Sequence, residues 1–215
     1  MKVLIALLSC WKHRERRDAQ RDTWIRDLVY IPRGVEYRFF LGRNSGMEWI
    51  RDDETALDCP DDYVSLSQKT KAVMRWIDER GYDFVFKADD DTYIVPARLL
   101  ASGFEAFDYS GSLEENGPNS HCPFEVIPWA QGGAGYWTSA RAVKILAEHM
   151  IDLKHAEDTA TGRTLAKFDI RGVHDPRYQP QITRREREFP GTTAITFHKV
   201  APGEMRELQL KIPIH

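Results

Sequence analysis

Residues 84–95 read Phe84-Val85-Phe86-Lys87-Ala88-Asp89-Asp90-Asp91-Thr92-Tyr93-Ile94-Val95, and this stretch decides the fold. A short apolar run leads into three consecutive carboxylates, and a second apolar run follows them. Adjacent carboxylates repel one another, so holding three at a folded strand end costs stability unless a cation neutralises them. A run of Asp most often forms a solvated turn or a helix cap; apolar residues on both flanks place this one at the edge of a core instead. Oxygen ligands of this kind favour Mg2+ or Mn2+, commonly held by one or two carboxylates together with substrate phosphates.

Outward from this stretch, strands and helices alternate. Val3–Leu8 reads as a buried first strand, followed by a polar loop and a helical stretch from about Arg16 to Leu28 that places Trp24 and Leu28 on one side. Val35–Leu41 is rich in aromatic residues and stops at Gly42, as a second strand would. Leu66, Thr70, Val73 and Ile77 recur at helical spacing within Leu66–Arg80, and Gly81 ends that helix. Glu114–Pro128, with its Gly, Pro, Asn and Ser, reads as a long loop. Gly135–Ser139 reads as a strand, Ala140–Met150 as a helix with Val143, Leu146 and Ala147 inward, and Asp158–Lys167 as another helix. The pattern predicts an α/β fold over residues 1–215, a single domain with a mixed, mostly parallel sheet flanked by helices. In such sheets ligands bind beyond the carboxyl ends of the strands, where the acidic cluster falls.

Composition narrows the function. The chain has 30 Lys and Arg against 33 Asp and Glu, a net charge of −3, and its basic residues are spread apart from clusters at Arg14–Arg21 and Arg184–Arg187. That balance argues against nucleic acid as the main partner. Cys10, Cys59 and Cys122 are an odd, sparse set without short pair spacing, so they read as reduced structural thiols rather than a disulfide framework or zinc site. The opening apolar run is too short to span a bilayer and passes straight into the charged stretch Lys12–Arg17, and no other segment has the length and apolarity to cross one. The expectation is a soluble protein.

Six collinear segments resemble the β-1,3-galactosyltransferase and Fringe-like glycosyltransferases. Arg17-Asp18-Ala19-Gln20-Arg21-Asp22-Thr23-Trp24 is similar to that family's R-x-A-x-R-x-T-W, and Phe39-Phe40-Leu41-Gly42 to its F-x-L-G. Asp61 to Thr70 is similar to D-x-Y-x-N-L-T-x-K-T with Ser65 at the usual Asn, and Lys87 to Tyr93 matches K-x-DDD-x-[YF]. Gly133-Ala134-Gly135-Tyr136 with Ser139 resembles G-x-G-Y-x-x-S, and Glu157-Asp158 with Gly162 resembles E-D-V-x-x-G with Thr159 at the Val. The resemblance implies a GT-A-type fold, with residues 1–95 as a nucleotide-binding half and 96–215 as an acceptor-binding half. It also implies a UDP-sugar donor, a carbohydrate or glycoconjugate acceptor, Mn2+ (or Mg2+), and inversion at the anomeric carbon.

The same resemblance assigns roles. Asp89 and Asp90 would lie near the ribose and the metal, Asp91 would be a direct ligand, and Asp158 would be the general base for the acceptor hydroxyl. The family's C-terminal metal-binding His falls on His198, with His174 as competitor. Ser9, at the end of the first strand, becomes a uridine neighbour; Lys69 and Arg17 join the donor side, while Arg21 reads as structural. Glu157 would stand beside the base, and the glycines Gly133 and Gly135, with Trp129, Tyr136 and Trp137, would shape the sugar pocket. Gly132 to Gly135 is no phosphate loop, because no Lys-Ser or Lys-Thr follows. A sugar nucleotidyltransferase would need a Gly-rich basic loop near the first strand, which is lacking. A retaining transferase of the same fold and a non-catalytic glycan binder stand as alternatives. Donor sugar, acceptor, linkage and oligomeric state stay open. The family's eukaryotic members carry a membrane anchor and stem and usually paired cysteines; the departure from that pattern sets the expectation of a bacterial or viral protein working in the cytoplasm, or of the catalytic part of a longer chain.

Overall fold

Every residue of β1 (Val3–Leu8) is buried, so this strand has a neighbour along each edge and a layer on each face. β2 (Val35–Leu41) and β4 (Phe84–Asp89) flank it, both parallel to it. The computed structural model describes residues 1–31, 35–43, 50–114, 127–183, 190–191 and 193–212. Among these, β3 (Glu54–Ala56) adds parallel to β2. Beyond β4, β9 (Tyr136–Ser139) runs antiparallel, β6 (Tyr109–Gly111) pairs antiparallel with β9, and β10 (Val173–His174) pairs parallel with β6. The sheet order is β10-β6-β9-β4-β1-β2-β3. It is the mixed, mostly parallel α/β sheet that the alternation predicts.

Alternation along β1 splits the core in two. Val3, Ile5 and Leu7 join Phe39, Phe86 and Trp137 on one face, covered by residues of α1 (Arg14–Gln20), α3 (Pro96–Leu100) and α6 (Pro202–Lys211). Leu4, Ala6 and Leu8 join Phe40, Val85 and Tyr136 on the other, under α2 (Leu66–Asp78), α4 (Ala140–His149) and α5 (Glu157–Ala166). α4 begins where the Ser139 hydroxyl accepts from the Ala142 N–H at 3.3 Å, an N-cap.

Three elements differ from their sequence reading. The helix expected over Arg16–Leu28 is broken: α1 ends at Gln20, a wide turn covers Arg21–Ile25, and a tight one covers Arg26–Tyr30. Thr23 leaves helical geometry (φ −116°, ψ −115°) while its hydroxyl bonds the carbonyl of Ala19 at 2.7 Å, a back-bond that bends helices. The segment read as a loop opens with β7 (Leu113–Glu114), paired antiparallel with β8 (Trp129–Ala130); residues 115–126, including Cys122, lie outside the described residues, as does the cluster Arg184–Arg187. A small sheet absent from the reading joins β11 (Tyr178–Gln179), β12 (Thr196–Phe197) and β5 (Tyr93–Ile94). Cys10 and Cys59 are free thiols. Among the described residues, no helix is long and apolar enough to cross a membrane.

Candidate active site

The acidic cluster is assembled by two strand ends. Asp89 closes β4 beside Leu8 of β1, and the Asp90 N–H continues the ladder to the Leu8 carbonyl at 3.1 Å. The chain then turns, with the Thr92 N–H on the Asp89 carbonyl at 3.2 Å, and enters β5. β5 pairs antiparallel with β12, Tyr93 opposite Phe197, so the residues before Tyr93 meet those after Phe197. The Val200 N–H accordingly donates to the Asp91 carbonyl at 2.9 Å. His198 lands with Nε2 at 3.3 Å from Asp91 Oδ1, and its Nδ1 lies 3.0 Å from the Pro180 carbonyl. A carbonyl accepts only, so Nδ1 carries a proton and Nε2 is the nitrogen aimed at the carboxylates: with a second proton it donates to Asp91, and without it Nε2 offers a lone pair to a cation, the arrangement that orients imidazole ligands. Asp89, Asp91 and His198 each bring one ligand atom within 4.8 Å of the others. Burial pushes the Asp91 carboxyl up, but the bond and charge of His198 and the charge of Arg16 outweigh it and hold the group below the usual carboxylate range. His174 sits exposed on β10, its Nδ1 accepting from the Leu113 N–H at 3.0 Å, outside the cluster.

Asp90 faces the other way. It is 3% exposed and accepts from the Ser9 hydroxyl at 2.7 Å, from His13 Nδ1 at 2.9 Å and from Arg16 Nη1 at 3.0 Å. Arg16 also reaches Asp91 Oδ2 at 3.1 Å. Arg17, expected on the donor side, is buried instead: its Nε pairs with Glu54 Oε1 at 3.0 Å and its Nη1 braces the Ser9 hydroxyl at 3.1 Å. Neighbours on a helix point about 100° apart, and with Glu54 of β3 drawing Arg17 inward, Arg16 is left facing the cavity. Lys69 is buried as well, its ammonium on the Ser9 carbonyl at 2.9 Å and on Asp61. A cavity of about 320 Å³ opens here, lined by Ser9, Cys10, His13, Arg16, Asp61 and Lys69.

A second cavity, about 430 Å³, is lined by Gln131, Gly132, Gly133, His155, Glu157 and Asp158. The two share Tyr63, Leu66, Asp89, His198 and Lys199, so they meet at the carboxylate–imidazole cluster. Asp158 stands in the first turn of α5, half-buried, with Oδ1 on the Thr159 N–H at 2.8 Å; it has no ion-pair partner among the described residues. Glu157 is fully committed: Oε1 takes the Tyr136 hydroxyl at 2.6 Å and Thr161 at 3.3 Å, and Oε2 takes Lys87 at 3.0 Å. The Lys87 ammonium, wholly buried, also reaches Asp89 Oδ1 at 2.9 Å and the Gly132 carbonyl at 3.2 Å. Burial pulls Lys87 down, yet the charges of Asp89 and Glu157 hold it above the usual lysine range.

The residues expected to wall a sugar pocket divide. Gly133 lies in the wall, and a Cβ there would overlap the His198 ring. Gly135, at φ +91°, is needed for its left-handed turn and for its contact with the Phe86 ring. Trp129, Tyr136 and Trp137 are 6%, 0% and 0% exposed and belong to the core, because β9 is buried throughout and β8 packs against α5. Tyr136 reaches the site only through Glu157. Arg16, His13, Asp61 and Lys87 carry no role in the sequence reading, although Lys87 lies inside the K-x-DDD segment and Arg16 directly beside Arg17.

Comparisons with known proteins bear on the fold and the enzyme class. The family model described as Galactosyltransferase matches residues 15–106, which include the three aspartates. Beta-1,3-galactosyltransferase 6 of Mus musculus is 29% identical over 226 residues, covering 95% of this chain and 67% of that protein. The chain is a glycosyltransferase, similar to the β-1,3-galactosyltransferases. The mouse N-acetyllactosaminide beta-1,3-N-acetylglucosaminyltransferase 4 is 26% identical over 94% of this chain and 68% of its own length. The mouse acetylgalactosaminyl-O-glycosyl-glycoprotein beta-1,3-N-acetylglucosaminyltransferase is 25% identical over 78% of this chain, and the match spans about half of that relative, 52%. Among solved structures, a glycosyltransferase involved in the glycosylation of the major capsid of PBCV-1 superposes with a TM-score of 0.56 at 9% identity, over 99% of this chain and 100% of that one. That likeness concerns the fold, which is GT-A-like.

Proposed function

We propose that this transferase moves a sugar from a UDP-sugar to a hydroxyl of a glycan acceptor with inversion, and that Asp89, Asp91 and His198 hold the Mn2+ (or Mg2+) it uses. The observation that carries the reading is the meeting of two cavities at this cluster, with Asp158 facing one of them. The donor set fits such a cation: two carboxylates supply hard oxygen, and the imidazole, oriented through Pro180, favours Mn2+ over Mg2+. When bound, the cation neutralises charge developing on the departing diphosphate.

The chain's own residues divide the remaining work. Ser9, Lys69 and Asp61 line the nucleotide side and Arg16 closes it against Asp90 and Asp91, in keeping with a nucleotide-binding half over residues 1–95. The larger cavity, lined mainly from residues 96–215, takes the acceptor. There Asp158 accepts the proton of the attacking hydroxyl, a role that needs a carboxylate within hydrogen-bond reach; Glu157, with both oxygens occupied, does not compete for it. The names of the mouse relatives support a β-1,3 linkage. Free thiols at Cys10 and Cys59 accord with work in the cytoplasm.

The test is UDP release from UDP-galactose, UDP-N-acetylglucosamine and UDP-glucose, with methyl β-galactoside and methyl β-N-acetylglucosaminide as acceptors, with and without Mn2+. The reading expects Mn2+-dependent release and a product whose anomeric NMR signal is inverted relative to the donor. A retained signal would replace it with the retaining mechanism. Glycan binding without UDP release would replace it with a lectin-like role.

A further inference from the structure

An ammonium has three N–H donors, and those of Lys87 go to three different elements: Asp89 at the end of β4 (2.9 Å), Glu157 at the first residue of α5 (3.0 Å) and the carbonyl of Gly132 in the glycine turn (3.2 Å). A lysine with no exposed surface is rare unless paired, and this one is paired on every side. The start of α5 is otherwise held by Tyr136 and Thr161 on Glu157 and by the His155 N–H on the Val64 carbonyl at 3.3 Å. Its N-cap residue is Ala156, which supplies no side-chain cap, and the preceding His155 is in the left-handed region at φ 57°. Gly132 keeps the junction open, since a Cβ there would lie 2.6 Å from Glu157 Oε2 and 3.0 Å from Lys87 Nζ.

We propose that Lys87 is a positioning residue: by tying Asp89 to Glu157 it fixes the distance between the cation-holding carboxylate and Asp158, the residue next to Glu157. The inference rests on the assignment of Asp158 as base. Without the tie, Glu157 keeps only its bonds to Tyr136 and Thr161, the first turn of α5 is free to shift, and the base moves away from the anomeric carbon. A displacement of about 1 Å at a reacting group costs on the order of a hundredfold in rate. The competing account is that Lys87 merely neutralises two buried carboxylates, a purely structural service.

Removing one buried charge at a time, and then both, separates the two. Lys87→Met, Glu157→Gln and the double variant are purified as full chains. Each is assayed for thermal stability, for binding of Mn2+ alone, and for transfer with whichever donor and acceptor of the panel above the wild type uses. Lys87→Met is expected to lower kcat by about a hundredfold with acceptor KM changed less than about threefold. The double variant is expected to regain thermal stability, having no unpaired charge at Glu157, while its transfer stays low; Mn2+ alone binds it within about tenfold of wild type. Transfer that recovers together with stability in the double variant would overturn the proposal, as would wild-type kcat in Lys87→Met. Should Lys87→Met fail to fold, the double variant and Glu157→Gln decide, and wild-type kcat in either overturns it. A wild type that transfers nothing from the panel removes the assignment on which the inference stands; a wild type that transfers while the double variant matches it removes the inference alone.

Discussion

His198 Nε2 and Asp91 Oδ1 stand 3.3 Å apart because β12 and β5 pair antiparallel and their ends carry these two residues past the last ladder position. The pairing makes the imidazole part of the acidic cluster, and Pro180 sets its tautomer. His198→Ala should therefore weaken binding of Mn2+ alone by at least about tenfold, read by calorimetry or Mn2+ resonance, with the fold intact. His174→Ala, on the far sheet edge, should leave it unchanged. Equal effects of the two would undo the assignment.

Gly133 sits under the His198 ring with no room for a side chain. Gly133→Ala should push the ring off its place, lowering Mn2+ affinity by about tenfold and stability by about 1–3 kcal/mol. Denaturant unfolding and metal titration on the same variant check this. A variant that binds Mn2+ like wild type would show that the ring adapts.

Arg17 and Glu54 are 3% and 4% exposed, paired at 3.0 Å. Arg17→Met leaves Glu54 with Arg21, at 2.6 Å, as its remaining charged partner and should cost about 1–3 kcal/mol, seen as a lower urea midpoint. A loss under about 1 kcal/mol would point instead to a surface-like pair.

Burial pushes the carboxyls of Asp53 and Glu54 up, but hydrogen bonds and charge from Arg21 outweigh it, so both are held below their usual values of 3.8 and 4.5. A depressed folded-state value means the unfolded chain binds more protons in acid. The stabilisation is complete above the usual carboxylate range and is lost as pH falls through it. Melting temperature should fall between about pH 5 and pH 3, and Arg21→Met should flatten that slope while lowering stability at neutral pH. An unchanged slope in the variant would place the acid sensitivity elsewhere.

The acidic cluster is legible in the sequence because an apolar strand runs straight into it, and the long strands β1, β2 and β4 follow from runs of apolar and aromatic residues. The meeting of Asp91 with His198 was carried by the family resemblance, since β5 and β12 are two residues each and too short to show a period. The burial of Arg17 on α1 is not legible in the sequence because it depends on Glu54, a partner on β3. Tyr136 and Trp129 were misread for a related reason: an aromatic residue beside glycines looks the same in sequence whether it lines a cavity or fills a core. The role of Lys87 is not legible in the sequence, because its three partners come from three separated segments and only the fold brings them together.

On the proposed mechanism Asp158, a half-buried carboxylate at the start of α5 with no ion-pair partner among the described residues, takes the acceptor proton. Asp158→Asn, measured for transfer and for binding of UDP with Mn2+, tests that role. Transfer should fall by at least about a hundredfold while UDP and Mn2+ bind as in wild type; transfer near the wild-type rate would remove Asp158 as the base.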